Sequence, residues 1–222
     1  MSIKNERTIK CPKCGKEFKV NVWNSINLSE NPELKEKVLS GEVFQATCDE
    51  CKEVAFLEYN MLYHDDENDM MLHLVSGELT DQQVIDSYIK ATDVLKIARE
   101  EYIMRITKSP EQLREKVYIF DQGLDDRAIE IMKLVILSKI KNEVKADIEE
   151  IILRTEKDNE EPKMFLFRTS EKKVGSVPFI KELYEDIETK HFADSPRGKS
   201  EYVVNFIWAS EFMKGVISKS QQ

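Results

Sequence analysis

Two C-x-x-C pairs, Cys11 with Cys14 and Cys48 with Cys51, constrain this chain more than any other feature of its sequence. A C-x-x-C turn places two thiolates about 3.5 to 4 Å apart, as two corners of a tetrahedron require. Cys14 and Cys48 are separated by 33 residues, which leaves room for a short helix between the pairs. The four cysteines are therefore predicted to bind one structural Zn²⁺ ion.

The sequence around the cysteines leaves some alternatives open. Free buried thiols or a redox disulfide pair would use the same four residues. A deaminase site is excluded because no histidine precedes Cys48. Gly15 follows the first pair and suits a turn with a positive φ angle, whereas Lys52 occupies the matching place in the second. A four-thiolate zinc site carries about two negative charges, so the nearby Lys13, Lys16 and Lys52 are expected to act as counter-charges.

Composition limits the compartment and the partners of the chain. Its 222 residues are 41% hydrophobic and 34% charged, which is typical of a folded globular protein. Four cysteines are too few for a disulfide scaffold, and the first ten residues contain no apolar core segment, so we expect a cytoplasmic protein that is not exported. The sequence contains no stretch of about 18 apolar residues, so no membrane-spanning helix is predicted. The net charge of -9 argues against bulk attraction to nucleic acid or anionic lipid.

Hydrophobic periodicity predicts an N-terminal α+β segment. Phe18, Val20 and Val22 alternate as in a half-buried strand. Asn31 is expected to cap a helix that begins at Pro32 and closes at Gly41 in a left-handed conformation, with Leu34 and Val38 on its buried face. The further strands predicted in this segment are Val43–Thr47, Val54–Leu62 and Met70–Val75.

The remainder is predicted to be mostly helical at first and mixed at its end. Thr80 and Gln83 form a capping box. Ser109 and Pro110 open a helix, Gly123 ends it, and Asp125 caps the next one. A hairpin of Ile151–Arg154 and Met164–Arg168, a helix containing Leu183 and Ile187, and a strand Tyr202–Trp208 are predicted to follow.

The predicted fold class is α+β, in two domains. Residues 1–78 form a zinc ribbon with an inserted helix, and residues 79–222 form a helical middle followed by a small α/β C-terminal part.

Several segments together resemble the bacterial and archaeal CpXC family: CPKCG, NVWNSINLSENPELKEKVLSGEVFQATC, CDEC and MLYHDDENDMML. The later string LREKVYIFDQGLDDRAIEIMK is similar to the helical part of longer members, so the resemblance extends to about residue 140. It implies a metal-binding ribbon whose four cysteines are Cys11, Cys14, Cys48 and Cys51. The second pair departs from the family pattern, with Asp49 in place of proline and Lys52 in place of glycine.

Other chemistry-bearing residues have two readings each. His64 with Asp65, Asp66, Glu67 and Asp69 suits either a second cation or proton transfer, or else a solvated acidic turn. His73 and His191 are expected to have packing or surface roles. A second acidic group suits helix capping better than a ligand site; it consists of Asp121, Asp125, Asp126 and Glu130. The apolar stripe Ile129, Met132, Ile136 and Ile140 is expected to face the protein's own core rather than a partner helix.

Three functional classes follow from these features. The favoured one is a zinc-binding protein-interaction or regulatory module that binds a protein partner or its own copy. The second is a nucleic-acid-binding ribbon that uses Lys10, Lys13, Lys16, Lys19 and Trp23, which the net charge disfavours. The third is a metal-dependent hydrolase that uses the His64 turn. No P-loop, GxSxG, GxGxxG or HExxH motif is present, so the sequence leans away from an enzyme.

Overall fold

The structure is a computed structural model of the chain. It describes residues 1–77, 80, 82–86, 89–90, 102–141, 143–155, 163–195 and 201–220. The chain divides into two compact units, Met1–Arg114 and Glu115–Gln222. The domain boundary predicted after residue 78 lies outside the described residues. Over the described ranges, no helix has the length and apolar character needed to cross a membrane.

The N-terminal unit is built around a mixed five-stranded sheet. Its elements in chain order are β1 (Ile3–Lys10), β2 (Glu17–Asn27), α1 (Leu34–Ser40), β3 (Gln45–Thr47), β4 (Val54–Phe56), β5 (Met61–Asp65), β6 (Met70–Leu74) and β7 (Ile103–Thr107). The order in the sheet is β1-β2-β5-β6-β7, and β3 and β4 form a separate two-stranded sheet. Pairing is antiparallel within β1–β2 and β5–β6, and parallel where β2 meets β5 and where β6 meets β7.

The core of this unit lies against the inner strands of the sheet. Phe18, Val20 and Val22 are buried on one face of β2, as their alternation predicts. Every residue of β7 is buried, whereas β1 is exposed along almost its whole length. The sheet therefore has one covered edge, at β7, and one solvent-facing edge, at β1.

The segment between β2 and β5 differs in part from the sequence prediction. Helix α1 begins at Leu34 rather than Pro32, because Asn31 and Pro32 form the turn before it. Gly41 does close the helix, with a φ angle of 83°. The predicted strand Val43–Thr47 is wrong at its start, since a 3-10 turn over Glu42–Phe44 precedes β3.

The predicted strand Val54–Leu62 is also wrong, because it is two strands, β4 and β5. The backbone N–H of Leu57 donates to the carbonyl of Phe44, and the Tyr59 hydroxyl donates to the carbonyl of Val43 at 2.7 Å. These two bonds turn the chain away from the ladder that β4 makes with β3. The segment 57–60 thereby carries the chain from the small sheet to the large one.

The chain continues into the C-terminal unit through one helix, α2 (Pro110–Asp121), which spans the division at Arg114. The capping box before the preceding helical residues 82–86 is present, since Thr80 N–H donates to Gln83 Oε1 at 2.9 Å. The further elements are α3 (Asp126–Ile140), β8 (Ile148–Thr155), β9 (Lys163–Thr169), β10 (Val174–Pro178), α4 (Lys181–Phe192) and α5 (Phe206–Ser220).

An antiparallel sheet of order β10-β9-β8 and the helices of this unit share one hydrophobic core. The stripe Ile129, Met132, Ile136 and Ile140 on α3 faces that core, which confirms its own-core assignment. The predicted hairpin is formed by β8 and β9, while its turn, 156–162, lies outside the described residues.

The predicted strand Tyr202–Trp208 is wrong, because Phe206 begins α5. Asn205 Oδ1 accepts the backbone N–H of Trp208, which caps the start of this helix. Trp208, Phe212 and Met213 recur at helical spacing and pack against the core. The mixed α+β class predicted for the whole chain is present in both units.

Candidate metal centre

The first cysteine pair lies in the turn that joins β1 to β2. The backbone N–H of Cys11 donates to Lys16 O at 2.9 Å, and the N–H of Gly15 donates to Cys11 O at 2.9 Å. Gly15 has a φ angle of 72°, in the left-handed region that glycine enters without a steric penalty. These bonds hold Cys11 and Cys14 in one tight turn.

The second pair lies in the turn that joins β3 to β4, and it repeats the first. Cys48 N–H donates to Glu53 O at 2.8 Å, and Lys52 N–H donates to Cys48 O at 3.0 Å. Lys52 has a φ angle of 59° where the first turn has glycine. The departure from the family pattern at this position therefore leaves the backbone geometry of the turn unchanged.

The two turns bring all four sulfurs together. The Sγ atoms of Cys11, Cys14, Cys48 and Cys51 lie within 4.8 Å of one another, so they can hold one metal ion. Across the turns, Cys11 Sγ is 3.5 Å from Cys51 Sγ, and Cys14 Sγ is 3.8 Å from Cys48 Sγ. A tetrahedron with metal–sulfur bonds of about 2.3 Å has edges of about 3.8 Å. The cluster therefore has the dimensions of a tetrahedral thiolate site.

The thiols of this cluster differ in acidity. The backbone N–H of Cys14 lowers the pKa of the Cys11 thiol to about 6, with a smaller contribution from Lys13 and against the effect of burial. At Cys51 the N–H of Glu53 acts in the same direction. Burial and the neighbouring sulfurs outweigh it and raise the pKa of Cys51 to about 12. Such a spread in pKa is expected for neighbouring thiols, because ionisation of one thiol disfavours ionisation of the next. A bound cation favours the thiolate form of each.

Carboxylates pair with the lysines around the cluster. Lys13 Nζ lies 2.9 Å from Glu53 Oε2, and Lys16 Nζ lies 2.8 Å from Glu50 Oε1. The hydrogen bond to Glu53 raises the pKa of Lys13. These pairs tie the rim of one cysteine turn to the rim of the other.

Of the remaining residues of the predicted basic surface, Lys19 and Trp23 have intramolecular partners, whereas Lys10 forms no ion pair with another described residue. Lys19 pairs with Glu6 at 2.7 Å, and Lys4 lies 5.4 Å from the centre of the Trp23 ring. Lys19 and Trp23 thus already have intramolecular partners, so they offer little to a phosphate backbone or a base.

The backbone strain at Lys52 gives a prediction for two matched variants. A non-glycine residue in the left-handed region costs about 1–2 kcal/mol, and a substitution to glycine removes that strain. Glycine also has more conformational freedom in the unfolded chain, which offsets part of the stabilisation. Lys52→Gly is therefore expected to raise the free energy of unfolding by about 0.5–1 kcal/mol. Gly15→Ala is expected to lower it by about 1 kcal/mol, because a Cβ at Gly15 meets no atom within 4 Å and only the φ angle opposes it.

Urea denaturation at fixed excess metal, followed by tryptophan fluorescence, measures both changes. If Lys52→Gly lowered the free energy of unfolding as Gly15→Ala does, the positive φ angle at Lys52 would be contradicted.

The acidic turn after β5 is organised by hydrogen bonds of its own. Asp65 is buried and accepts the side-chain amide of Asn68 at 2.7 Å. Asp66 accepts the Ser29 hydroxyl and, at 3.2 Å, the Tyr102 hydroxyl, and it lies 2.5 Å from His64 Nε2. The Ser29 hydrogen bond is the main reason that the pKa of Asp66 is lowered.

These bonds leave the turn without a ligand set for a second cation. Across the part of the chain that the structure describes, no three ligand atoms of this turn are close enough together to hold one. The observation favours the structural reading of His64, Asp65, Asp66, Glu67 and Asp69. His73 is half-buried in β6, and His191 packs edge-on against Phe212 at 5.8 Å between ring centres. Burial lowers the pKa of both histidines.

The acidic residues before and within α3 have partners inside the C-terminal unit. Asp125 Oδ1 accepts the backbone N–H of Arg127 at 2.9 Å, so the predicted cap is present. Asp126 and Glu130 are buried, and both pair with Lys116, at 2.8 and 3.3 Å.

Sequence reasoning missed that these carboxylates belong to a buried ionic cluster. We call Glu115, Lys116, Asp126, Glu130 and Lys133 the buried charge cluster. The signal available in the sequence was the i, i+4, i+7 spacing of Asp126, Glu130 and Lys133, which places opposite charges on one face of α3.

Four thiols that can hold one metal ion, carried by an α+β fold, define the class of this protein. The family model described as CpXC protein matches residues 9–133, a range that includes all four cysteines and most of α3. The chain therefore belongs to the CpXC family. Neither the curated proteins nor the solved structures include a match to it.

Proposed function

We propose that the protein binds one Zn²⁺ ion through Cys11, Cys14, Cys48 and Cys51, and that this ion is structural. The observation that carries the proposal is the convergence of four sulfurs within 4.8 Å on two turns of the same backbone geometry. Four thiolates in a tetrahedron suit Zn²⁺, whereas Mg²⁺ and Ca²⁺ prefer oxygen ligands. A full set of four protein ligands leaves no open position for substrate or water, which supports a structural role.

The two turns and their strands form the proposed zinc ribbon. β1 and β2 flank the first pair, β3 and β4 flank the second, and α1 is the helix inserted between them. With the ion bound, two hairpins that share no backbone ladder become one body. The ion thereby adds to the stability that the two-stranded sheet of β3 and β4 cannot supply for itself.

The best supported role for this zinc-stabilised unit is that of a protein-interaction or regulatory module in a reducing compartment such as the cytoplasm. Free thiols in the cluster and the net charge of -9 support that choice. The pairing of Lys13, Lys16 and Lys19 with carboxylates counts against phosphate binding. The self-contained hydrogen bonding of the His64 turn counts against a hydrolase.

Metal analysis tests the zinc centre. Protein purified without chelator and analysed by plasma mass spectrometry is expected to contain one zinc per chain, and X-ray absorption is expected to give four sulfur neighbours at about 2.3 Å. Alkylation of the thiols under denaturing conditions, before refolding with Zn²⁺, provides the control that abolishes binding. Iron in place of zinc, or a chain isolated with Cys11 and Cys51 joined as a disulfide, would overturn the proposal.

A further inference from the structure

A groove of about 370 Å³ lies beside the metal centre, within the N-terminal unit. Val20 and Val22 of β2 line it together with Ile9 of β1, and these three side chains are apolar. The opposite wall is the segment 55–59, which leaves the second cysteine turn. Pro12, inside the first cysteine turn, also lines the groove. Both walls are thus direct continuations of the two turns that carry the thiols.

The groove lies against one face of the β1–β2 pair, and its strand β1 is the edge strand of the sheet. β1 pairs with β2 on one side and, over the described part of the chain, with no strand on the other. All residues of β1 are exposed except Ile9, which is half-buried. An eight-residue strand with free backbone N–H and C=O groups on one side is a template on which another extended segment can pair.

An exposed aromatic ring stands at the groove. Phe56 is 78% exposed, whereas its neighbours Ala55 and Leu57 are buried. A single exposed apolar residue is ordinary on a protein surface. Phe56, however, lies beside an apolar groove and near an edge strand, and aromatic rings in such places often serve as anchors in protein interfaces.

The two cations at the groove lack carboxylate partners among the residues that the structure describes. Arg7 and Lys10 both line it, and neither takes part in an ion pair with another described residue. Glu58 also lines the groove, so its charge remains positive by one. In contrast, Lys13, Lys16 and Lys19 nearby are each paired. The groove therefore complements a ligand that carries negative charge.

We propose that this groove binds an extended acidic segment of a partner protein, which adds to the edge of β1 as a further strand. Apolar side chains of the segment pack on Phe56 and Ile9. Its carboxylates meet Arg7 and Lys10, which are three residues apart and so lie on opposite faces of β1. The proposal rests on the proposed zinc module, because the ion holds the two walls of the groove together. It adds to that module a definite surface and the chemistry of its partner.

A second copy of this chain is a poorer occupant, because β1 itself carries Lys4, Arg7 and Lys10 against Glu6, which is already paired with Lys19. Two such edges repel each other, which is how natural edge strands avoid self-pairing. Single-stranded nucleic acid would satisfy the two cations and stack on Phe56, but it leaves the backbone edge of β1 unused and meets a chain of net charge -9.

The binding test uses the zinc-loaded full chain and a fluorescein-labelled peptide of valine and glutamate, eight residues long to match β1, with two of its glutamates three residues apart to match Arg7 and Lys10. Fluorescence anisotropy is expected to show saturable binding that weakens as salt is raised. The same peptide with lysine in place of glutamate, and an oligothymidine of similar length, are the comparison ligands. Both are expected to bind at least about tenfold more weakly than the acidic peptide.

Two variants connect that binding to the groove. The double variant Arg7→Glu and Lys10→Glu is expected to raise the Kd for the acidic peptide at least about tenfold, and Phe56→Ala to raise it about tenfold. Their matched controls lie in the C-terminal unit: Lys145→Glu with Lys214→Glu makes the same change in net charge, and Ile207→Ala removes another exposed apolar side chain. Both controls are expected to leave the Kd unchanged.

Each outcome separates the two proposals. Zinc at one per chain with no binding of the acidic peptide, or with equal loss in the control variants, overturns the groove and leaves the zinc centre standing. Tighter binding of oligothymidine, or dimers that form through β1 and are abolished by the Arg7 and Lys10 variant, also overturns it. A chain that binds no zinc removes the proposed module, and peptide binding that persists in such a chain shows that the groove does not depend on the ion.

Discussion

Cys48→Ser is expected to abolish zinc binding and to unfold the N-terminal unit. A serine hydroxyl stays protonated at neutral pH, so three thiolates remain where a closed tetrahedral site needs four. Structural zinc contributes on the order of 10 kcal/mol to the folding of small zinc modules, which is comparable to the whole stability of a typical domain. The loss is therefore too large for the remaining contacts of the unit to offset.

The two tryptophans make this result measurable unit by unit, because Trp23 lies in β2 and Trp208 in α5. In a Trp208→Phe background, Trp23 fluorescence should already report the unfolded state of the Cys48→Ser protein in the absence of denaturant. Cys14→His is the matched control, since a histidine nitrogen is also a zinc ligand and Cys14 is the exposed cysteine of the four. A Cys48→Ser protein that keeps stoichiometric zinc and an unchanged denaturation midpoint would refute the central role of this site.

Lys133→Met is expected to lower the free energy of unfolding of the C-terminal unit by about 3–5 kcal/mol, because it breaks a buried ion pair by removing one partner. Lys133 Nζ lies 2.7 Å from Glu115 Oε2 and 3.0 Å from Glu130 Oε1, and all three side chains are buried. Glu115 Oε1 also accepts the backbone N–H of Leu153 at 2.6 Å. Without the ammonium group, the buried Glu115 carboxylate loses its ion pair, whereas Glu130 keeps the one with Lys116.

The same variant should become less stable as pH rises. Burial raises the pKa of Glu115 even with Lys133 present, and removing the lysine raises it further. The folded state then keeps a proton that the unfolded chain has lost above its pKa of about 4.3, so the free energy of unfolding falls from that pH up to the folded pKa. In the natural chain Lys133 opposes this effect.

Lys139→Met is the matched control for Lys133→Met, because Lys139 lies on the same helix with an exposed side chain. It should change the free energy of unfolding by no more than about 0.5 kcal/mol. Urea denaturation followed through Trp208 in a Trp23→Phe background, at several pH values, measures both variants. A Lys133→Met protein as stable as the control would mean that the buried charge cluster is solvated rather than paired.

The local features of the candidate site were predictable from the sequence. A C-x-x-C turn is closed by bonds between residues four or five apart, such as Gly15 N–H to Cys11 O, so its geometry follows from its own residues. The same holds for Gly41 at the end of α1 and for Asp125 at the start of α3. Each is a contact within one turn of chain, where residue type decides conformation.

Features that depend on distant partners were not predictable. The run from Val54 to Leu62 has strand composition throughout, and its break arises only because Leu57 and Tyr59 bond to Phe44 and Val43. The run from Tyr202 to Trp208 is so apolar that no polar face marks a helix, and the packing of Trp208 and Phe212 on the core decides the conformation. The buried charge cluster needs α2 beside α3, which the sequence does not state.

The parallel pairing of β2 with β5 has a consequence for how the N-terminal unit assembles in time. The β1–β2 and β5–β6 pairs are hairpins between neighbouring strands, whereas Ser25 meets Leu62 only after the chain has crossed over through the segment that holds Cys48 and Cys51. Closing a loop of 33 residues, the length between Cys14 and Cys48, costs about 3 kcal/mol in chain entropy. An ion that binds both cysteine pairs early closes this loop before β2 and β5 pair. The rate of folding should therefore rise with zinc concentration. A newly made chain that is short of zinc would remain longer with the edges of β2 and β5 unpaired, in the state from which aggregation begins.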